Sequence, residues 1–188
     1  MMEQDQIKSL MNYAKSFTGF TPEREALLSE VGIQIRPRLA EVTESFYRSL
    51  LQIPEAAAFL EGRIDSLKQT HLEWLLRIFT GPYDEEYASD MYRVGDAHVK
   101  VKLPVEFMAG AICLIQNELA RLLGELYAGD TQRYTEVISA VNSVLGYTLM
   151  VMQQSYQSST LAEELERFLA ITGMSRNLFN NLADAYRH

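Results

Sequence analysis

Histidine is the residue type that best equips this sequence for chemistry. The chain has three histidines, His71, His98 and the terminal His188. A neutral imidazole can donate or accept a hydrogen bond, transfer a proton near neutral pH, or bind a metal ion. His98 stands among apolar residues at helical spacing, with Val94 four positions before it and Val101 three positions after it. Such a ring needs a partner for its electron pair, which is either a polar group of the protein or a metal.

Other reactive constellations are missing from the sequence. It contains no nucleophile elbow, no glycine-rich phosphate loop, no HExxH motif and no cysteine pair. Its one cysteine, Cys113, lies in the apolar run FMAGAICLI, and we expect this thiol to be buried and inert. A single cysteine cannot form a disulfide within the chain, which favours a reducing cytoplasm as the location.

Composition narrows the class of protein further. The chain has 188 residues, 47% of them hydrophobic, which is enough for one domain with a real core. Its formal net charge of −8 argues against binding to nucleic acid. We see no basic and apolar leader at the N-terminus and no apolar run of about 18 residues, so we expect no membrane partner.

Helical periodicity runs along almost the whole chain, and no alternating strand pattern appears, so we predict an all-α fold. Proline, glycine and capping residues delimit the helices. The pattern predicts helices over 3–17, 22–31, 37–52, 63–80, 84–102, 104–127 and 130–158, a short turn from 54, and further helix after a capping signal at Ser159 and Thr160. The two longest helices, joined by a tight turn, should pack antiparallel.

Large apolar side chains could surround a flat macrocycle such as haem, whose iron would accept the electron pair of His98. Phe46, Phe59 and Phe107 are examples, beside many leucine, valine and methionine residues. The same residues at helical spacing also form ordinary cores. Composition and periodicity therefore leave both a haem pocket and a simple core open.

Three motifs in a fixed order are more specific. They are ESFYRSLLQIPEAAAFL, LKQTHLEWLLRIFTGPYDEEY and VGDAHVKVKLPVEF. Together, over about residues 20–155, they resemble the globin-coupled sensors and the related protoglobins. The resemblance implies a globin-like fold with an extra N-terminal helix and a helical C-terminal extension. It also implies a sensor globin domain over 1–158 and a helical linker or the start of a transmission segment over 159–188.

The resemblance assigns roles to several side chains. His98 is implied to be the proximal ligand of the iron of haem b. Tyr47 is implied to donate a hydrogen bond to dioxygen; the alternative is a core tyrosine with its hydroxyl at the surface. Thr70 matches a second distal polar position, and Leu67 a residue that gates ligand access. The other residues expected to contact haem are Phe46, Phe59, His71, Trp74, Val94, Val101, Leu103, Phe107 and Tyr147.

Two positions depart from the family pattern. Lys102 stands where relatives usually have a glycine, just before the leucine that follows the proximal helix. His71 is unusual beside Thr70. It is a distal donor, a sixth iron ligand, a residue facing a haem propionate, or simply a surface histidine beside Trp74.

The function implied is that of a haem-based gas sensor, chiefly of O2, with CO and NO as further ligands. The chain would not itself be an enzyme and would signal to an output domain outside it, with a leaning toward the diguanylate-cyclase-linked group. The alternatives are a haem globin with nitric oxide or peroxide chemistry and a haemless helical signalling module. We also expect a homodimer through helices 104–127 and 130–158. The apolar positions expected to be exposed for this contact are Leu119, Leu122, Tyr134 and Leu145.

Overall fold

Helices build the structure throughout residues 3–185, which is the part of the chain that the computed structural model describes; His188 lies outside it. No strand occurs in this range, which confirms the all-α prediction. The helices are α1 (Gln4–Thr18), α2 (Pro22–Ile35), α3 (Leu39–Leu50), α4 (Pro54–Ala57), α5 (Ile64–Ile78), α6 (Glu85–Lys100), α7 (Val105–Leu126), α8 (Thr131–Thr172) and α9 (Arg176–Ala185), with a 3-10 turn at Arg36–Arg38.

Local sequence signals explain most helix ends. Pro22 opens α2 at the first helical position, where its missing N–H costs nothing. The side chains of Asp84 and Asp130 each accept a hydrogen bond from a backbone N–H in the first turn of the helix that follows. Gly19 ends α1 in the left-handed conformation, with φ at 63°.

The predicted break after residue 158 is wrong. α8 runs without interruption from Thr131 to Thr172 and ends at Gly173, whose φ is 67°. Ser159 and Thr160 resemble a cap in sequence, but they lie inside the helix. No glycine or proline follows them until Gly173, so nothing stops the backbone hydrogen bonds from continuing.

α8 is the central helix, packed by α1, α2, α6 and α7, while α3 packs on α5 and α7. Its middle section buries a continuous set of apolar side chains. By length and composition it is the one helix among residues 3–185 that could cross a membrane. More than half of its most apolar stretch is buried inside the protein, and the core helix of a soluble protein meets the same criteria.

α6 and α8 cross in very close contact. At Gly95, in α6, a Cβ atom would overlap the carbonyl oxygen of Met152 and the hydroxyl of Ser155 in α8. Only glycine fits there without displacing the α8 backbone. The helix that carries His98 is thus fixed against α8 three residues before that histidine.

Two expectations about exposure are wrong. Leu119, Leu122 and Leu145 are fully buried within a single chain, so they do not await a partner; Tyr134 is half-buried. Cys113 is exposed rather than buried. Cys113 lies outside the core-facing stripe of α7, which consists of Met108, Ile112, Ile115, Leu119, Leu122 and Leu123.

Candidate functional site

His98 lies in the last turn of α6, and its ring is held by its own helix. Its Nδ1 is 2.8 Å from the carbonyl oxygen of Val94, one turn earlier. A carbonyl oxygen only accepts, so Nδ1 carries the proton and donates it, which leaves the lone pair on Nε2. Burial lowers the pKa of His98 below its usual range and favours the neutral ring. The imidazole is therefore prepared to act as a ligand through Nε2.

The turn after His98 is built around Lys102. The N–H of Leu103 donates to the His98 carbonyl oxygen at 3.0 Å, and the N–H of Lys102 donates to that of Val99 at 2.8 Å. These two bonds form a Schellman turn, which requires a left-handed residue. Lys102 adopts that conformation, with φ at 56°. The departure from glycine therefore leaves the turn intact and places a lysine in a conformation that glycine adopts more easily.

An aromatic cluster joins α3 to α5. The His71 ring stacks on Phe46, with centroids 4.6 Å apart and planes 12° apart. Tyr47 meets His71 edge-on at 5.7 Å, and Trp74 lies 5.4 Å from it. Tyr47 is 6% exposed, and burial raises the pKa of its hydroxyl to about 12. The hydroxyl therefore stays protonated at neutral pH and can donate a hydrogen bond.

Two buried nitrogen atoms of this cluster have no hydrogen-bond partner. They are Nε2 of His71 and Nε1 of Trp74. Nδ1 of His71 lies 3.0 Å from Oγ1 of Thr43, and burial lowers the pKa of His71 to about 4. Buried polar atoms without a protein partner are uncommon, and a water, an ion or a functional role accounts for most of them. The rings of the cluster therefore pack closely against one another, while two of its nitrogen atoms lack a hydrogen-bond partner within the protein.

Thr70 is not part of this cluster. Its side chain is exposed, and its hydroxyl donates to the carbonyl oxygen of Ser66 at 2.9 Å. The next residue, His71, takes the inward direction instead, while Leu67, one turn earlier, is half-buried against the core. The polar group that α5 contributes to the interior is therefore an imidazole and not a hydroxyl.

The remaining predicted contacts lie in three different surroundings. Phe59 and Phe107 meet edge-on with centroids 6.0 Å apart, and Val94 and Leu103 pack partly buried against the core. Val101 is exposed. Tyr147 is elsewhere: its ring lies against Phe20 at 5.8 Å and Tyr87 at 5.7 Å, and Tyr87 precedes His98 by three turns of α6. The structure does not bring Tyr147 to the histidines.

Thr43 is a residue of this cluster that the sequence analysis missed. It lies one helical turn before Tyr47 on α3, so the same spacing argument that singled out Tyr47 could have found it. It is 3% exposed.

The residues fit a haem better than a bare metal ion. Among residues 3–185, no three His, Cys, Asp or Glu side chains gather as a chelating group. An iron bound to a lone imidazole needs other ligands, which a porphyrin brings with it. His98 offers such an iron one protein ligand, because its ring is neutral and its Nε2 is free. The aromatic cluster with its unpartnered nitrogens offers apolar and polar contacts for the rest of the haem.

Comparison with known proteins decides the family. The protoglobin family model matches residues 7–162. The chain belongs to the protoglobin family. This protoglobin domain is similar in structure to the globin domain of a Geobacter sulfurreducens globin-coupled sensor, with a TM-score of 0.72 and 29% identity over 78% of this chain and 97% of that one. A search of curated proteins gave no match.

The globin domain of E. coli DosC shares the fold with this protoglobin domain. Its ferric form has a TM-score of 0.61 at 18% identity, and its ferrous form 0.61 at 17%; each match covers 80% of this chain and 97% of the other. These likenesses confirm the globin-like architecture that the sequence motifs predict.

Proposed function

We propose that this protoglobin domain is a haem-based sensor of a diatomic gas, with His98 as the proximal ligand of haem b. The observation that carries the proposal is the hydrogen bond from Nδ1 of His98 to Val94, which leaves Nε2 free. The likeness to the globin domain of the Geobacter globin-coupled sensor supports it. When bound, the haem supplies a ferrous iron that binds O2, CO or NO.

The chain's own residues set the preference among gases. The Tyr47 hydroxyl would donate a hydrogen bond to dioxygen held at this site, which gains more from a donor than carbon monoxide does. Leu67 limits access of water and gas, and Phe46, Phe59 and Phe107 supply apolar contact area. We propose O2 as the main ligand on this basis.

The sensed change leaves the domain through α8. His98 lies on α6, and α6 touches α8 at Gly95 with no space between the two helices. A shift of the His98 helix therefore displaces α8, which continues to Thr172. We assign residues 159–188 as a transmission segment on this argument. Any catalysis lies in the output domain that it serves, a diguanylate cyclase in our proposal.

Two subunits associate through α7 and α8 in this proposal. The support concerns α8: a groove runs along the outer face of this helix and the end of α1. Its apolar lining includes Phe17, Ile138, Leu149 and Met150. Phe17 is 73% exposed. An exposed apolar groove on the central helix is a surface that a two-fold dimer would cover.

Absorption spectroscopy of the purified, haem-reconstituted protein tests the proposal. We expect a Soret band that shifts on reduction and again on exposure to O2 or CO. His98→Gly should lose stoichiometric haem, and added imidazole should restore binding because it replaces the missing ligand. Lys100→Ala, on the same helix but exposed, is the matched control and should keep its haem. Unchanged haem binding and spectrum in His98→Gly would exclude His98 as the ligand.

A further inference from the structure

Lys102 is the one residue other than glycine that adopts a left-handed backbone within residues 3–185. Its φ is 56°, in the turn that ends the helix carrying His98. The other left-handed positions in this range are all occupied by glycine: Gly19, Gly62, Gly81, Gly129 and Gly173. Backbone strain of this kind persists where the strained residue is useful. The turn needs no side chain, which points to a role for the lysine side chain outside the turn.

The ammonium group of Lys102 carries a positive charge that no group among residues 3–185 neutralises. Its side chain is exposed and makes no ion pair or hydrogen bond within this range. Lys100, two residues earlier, is paired with Asp96, with Nζ and Oδ2 3.4 Å apart. The residues on either side of Lys102 are the apolar Val101 and Leu103. The turn therefore presents one unpaired cation between two apolar side chains.

This cation stands close to the proposed iron ligand. Lys102 follows His98 by four residues, and the N–H of Leu103 donates to the His98 carbonyl oxygen at 3.0 Å, which folds the turn back onto the end of α6. A haem held through Nε2 of His98 is much wider than the imidazole, so its rim extends toward the neighbouring turn. The propionate groups on that rim are carboxylates, and a lysine brings its ammonium to them on a long, flexible stem.

We infer that Lys102 binds a propionate carboxylate of the haem and so slows loss of the cofactor. This inference rests on the proposed function, because it needs His98 to hold the iron. The ammonium donates a charge-assisted hydrogen bond to the carboxylate, and no covalent bond or electron transfer is involved. Lys102 is thus a positioning residue for the cofactor. Glycine would form the turn more easily but would leave the carboxylate without this partner.

The test measures how fast ferric haem leaves the full chain, from the loss of its Soret band when an excess of a haem-scavenging apoprotein is added. Lys102→Gln keeps a side chain at the strained position but removes the charge, and haem should leave about two- to fivefold faster. Lys102→Arg keeps the charge and should stay close to wild type. Arg36→Gln is the matched control: Arg36 is an exposed cation without an ion pair in the 3-10 turn, and its loss should change nothing.

Haem dimethyl ester separates a charge contact from a merely structural role. Its esterified propionates carry no negative charge, so wild type and Lys102→Gln should lose the ester at the same rate. High salt should accelerate haem loss from wild type and bring it toward the Lys102→Gln rate, since it screens an exposed ion pair. A structural defect in the variant would accelerate loss of haem and of its ester alike.

Lys102→Gly adds a comparison in which stability and haem retention move in opposite directions. The haem-free variant should resist urea at least as well as wild type, because glycine relieves the strain at φ 56°. It should nevertheless lose haem about two- to fivefold faster, as Lys102→Gln does. Faster haem loss from a chain that is no less stable cannot result from a loosened fold.

A Lys102→Gln variant that retains haem as long as wild type would overturn this inference alone. Equal acceleration by Arg36→Gln would also overturn it, because any lost surface charge would then suffice. Equal rates of loss for haem and its dimethyl ester from wild type would overturn it even where a variant fails to fold. Absence of any Soret band from reconstituted wild type would instead overturn the proposed function, and this inference with it.

Discussion

The Tyr47 hydroxyl is one oxygen atom whose removal leaves the ring packed against Phe46, so its contribution can be isolated. Tyr47→Phe should raise the O2 dissociation rate and change CO dissociation much less. A net hydrogen bond contributes about 0.5–1.5 kcal/mol, more with a charged acceptor, so O2 should leave roughly three- to thirty-fold faster. Stopped-flow dissociation measures this. Equal effects on both gases would show that Tyr47 acts through pocket volume instead.

Lys102 is strained in a way that a single substitution relieves. A side chain at φ 56° costs the folded state about 1–2 kcal/mol relative to glycine. Part of this gain is cancelled in the glycine variant, because glycine has more backbone freedom in the unfolded state. Lys102→Gly should therefore raise the free energy of unfolding by about 0.5–1 kcal/mol. Lys100→Gly, two residues earlier at the last residue of α6, should instead lower it, by up to about 1 kcal/mol. Urea denaturation compares the two, and a loss of stability in Lys102→Gly would contradict the argument.

At the scale of single residues, the sequence predicts which side chains could bind a ligand better than it predicts where those side chains point. His98, Tyr47 and Phe46 stand out by type and spacing, and His98 and Tyr47 remain predictions as ligand and donor. Thr70 and His71 are adjacent, and only the packing of α5 decides that the histidine turns inward. Tyr147 has the residue type of a pocket wall, but its place beside Phe20 depends on how α1 crosses α8, which no local pattern encodes.

At the scale of elements, the crossing of α6 and α8 makes a prediction with a matched control. Gly95→Ala adds a methyl group where the α8 backbone already stands, so it should destabilise the protein by about 1–3 kcal/mol. It should also alter the spectrum of the bound haem, because His98 is three residues away. Gly110→Ala, in α7 with nothing nearby, should raise stability by up to about 1 kcal/mol. Equal effects of the two substitutions on the urea midpoint would refute the close crossing.

The helices themselves are largely predictable because proline, glycine and capping aspartates act locally. The ends of α1, α5, α6 and α7 fall within a few residues of the predicted ones. The end of α8 does not, since a serine–threonine pair can cap a helix or lie within it. The burial of Leu145 also escapes a sequence argument, because it depends on how many neighbouring helices cover α8.

At the scale of the whole molecule, the proposed dimer would cover the groove on α8. Met150→Glu should weaken association, because a two-fold contact brings the new charge in twice and buries it. Ile33→Glu is the matched control: Ile33 is 79% exposed on α2, away from the groove, and its replacement should leave association unchanged. Sedimentation at about 10–50 µM, in the range of ordinary protein affinities, measures both. A monomeric wild type would contradict the prediction.

Because α8 is continuous, a small tilt of this helix displaces its C-terminal end by a larger distance. From Ser155, at the crossing with α6, to Thr172 is 17 residues, or about 26 Å of stiff rod at 1.5 Å per residue. A tilt of about 5° at the crossing moves the far end by about 2 Å, although the atoms near the fulcrum move by only a fraction of an ångström. In the proposed sensor, a small displacement at the iron would therefore become a larger displacement of the C-terminal end of α8. Gly95 permits this coupling, because only a residue without a side chain lets α6 contact the α8 backbone directly.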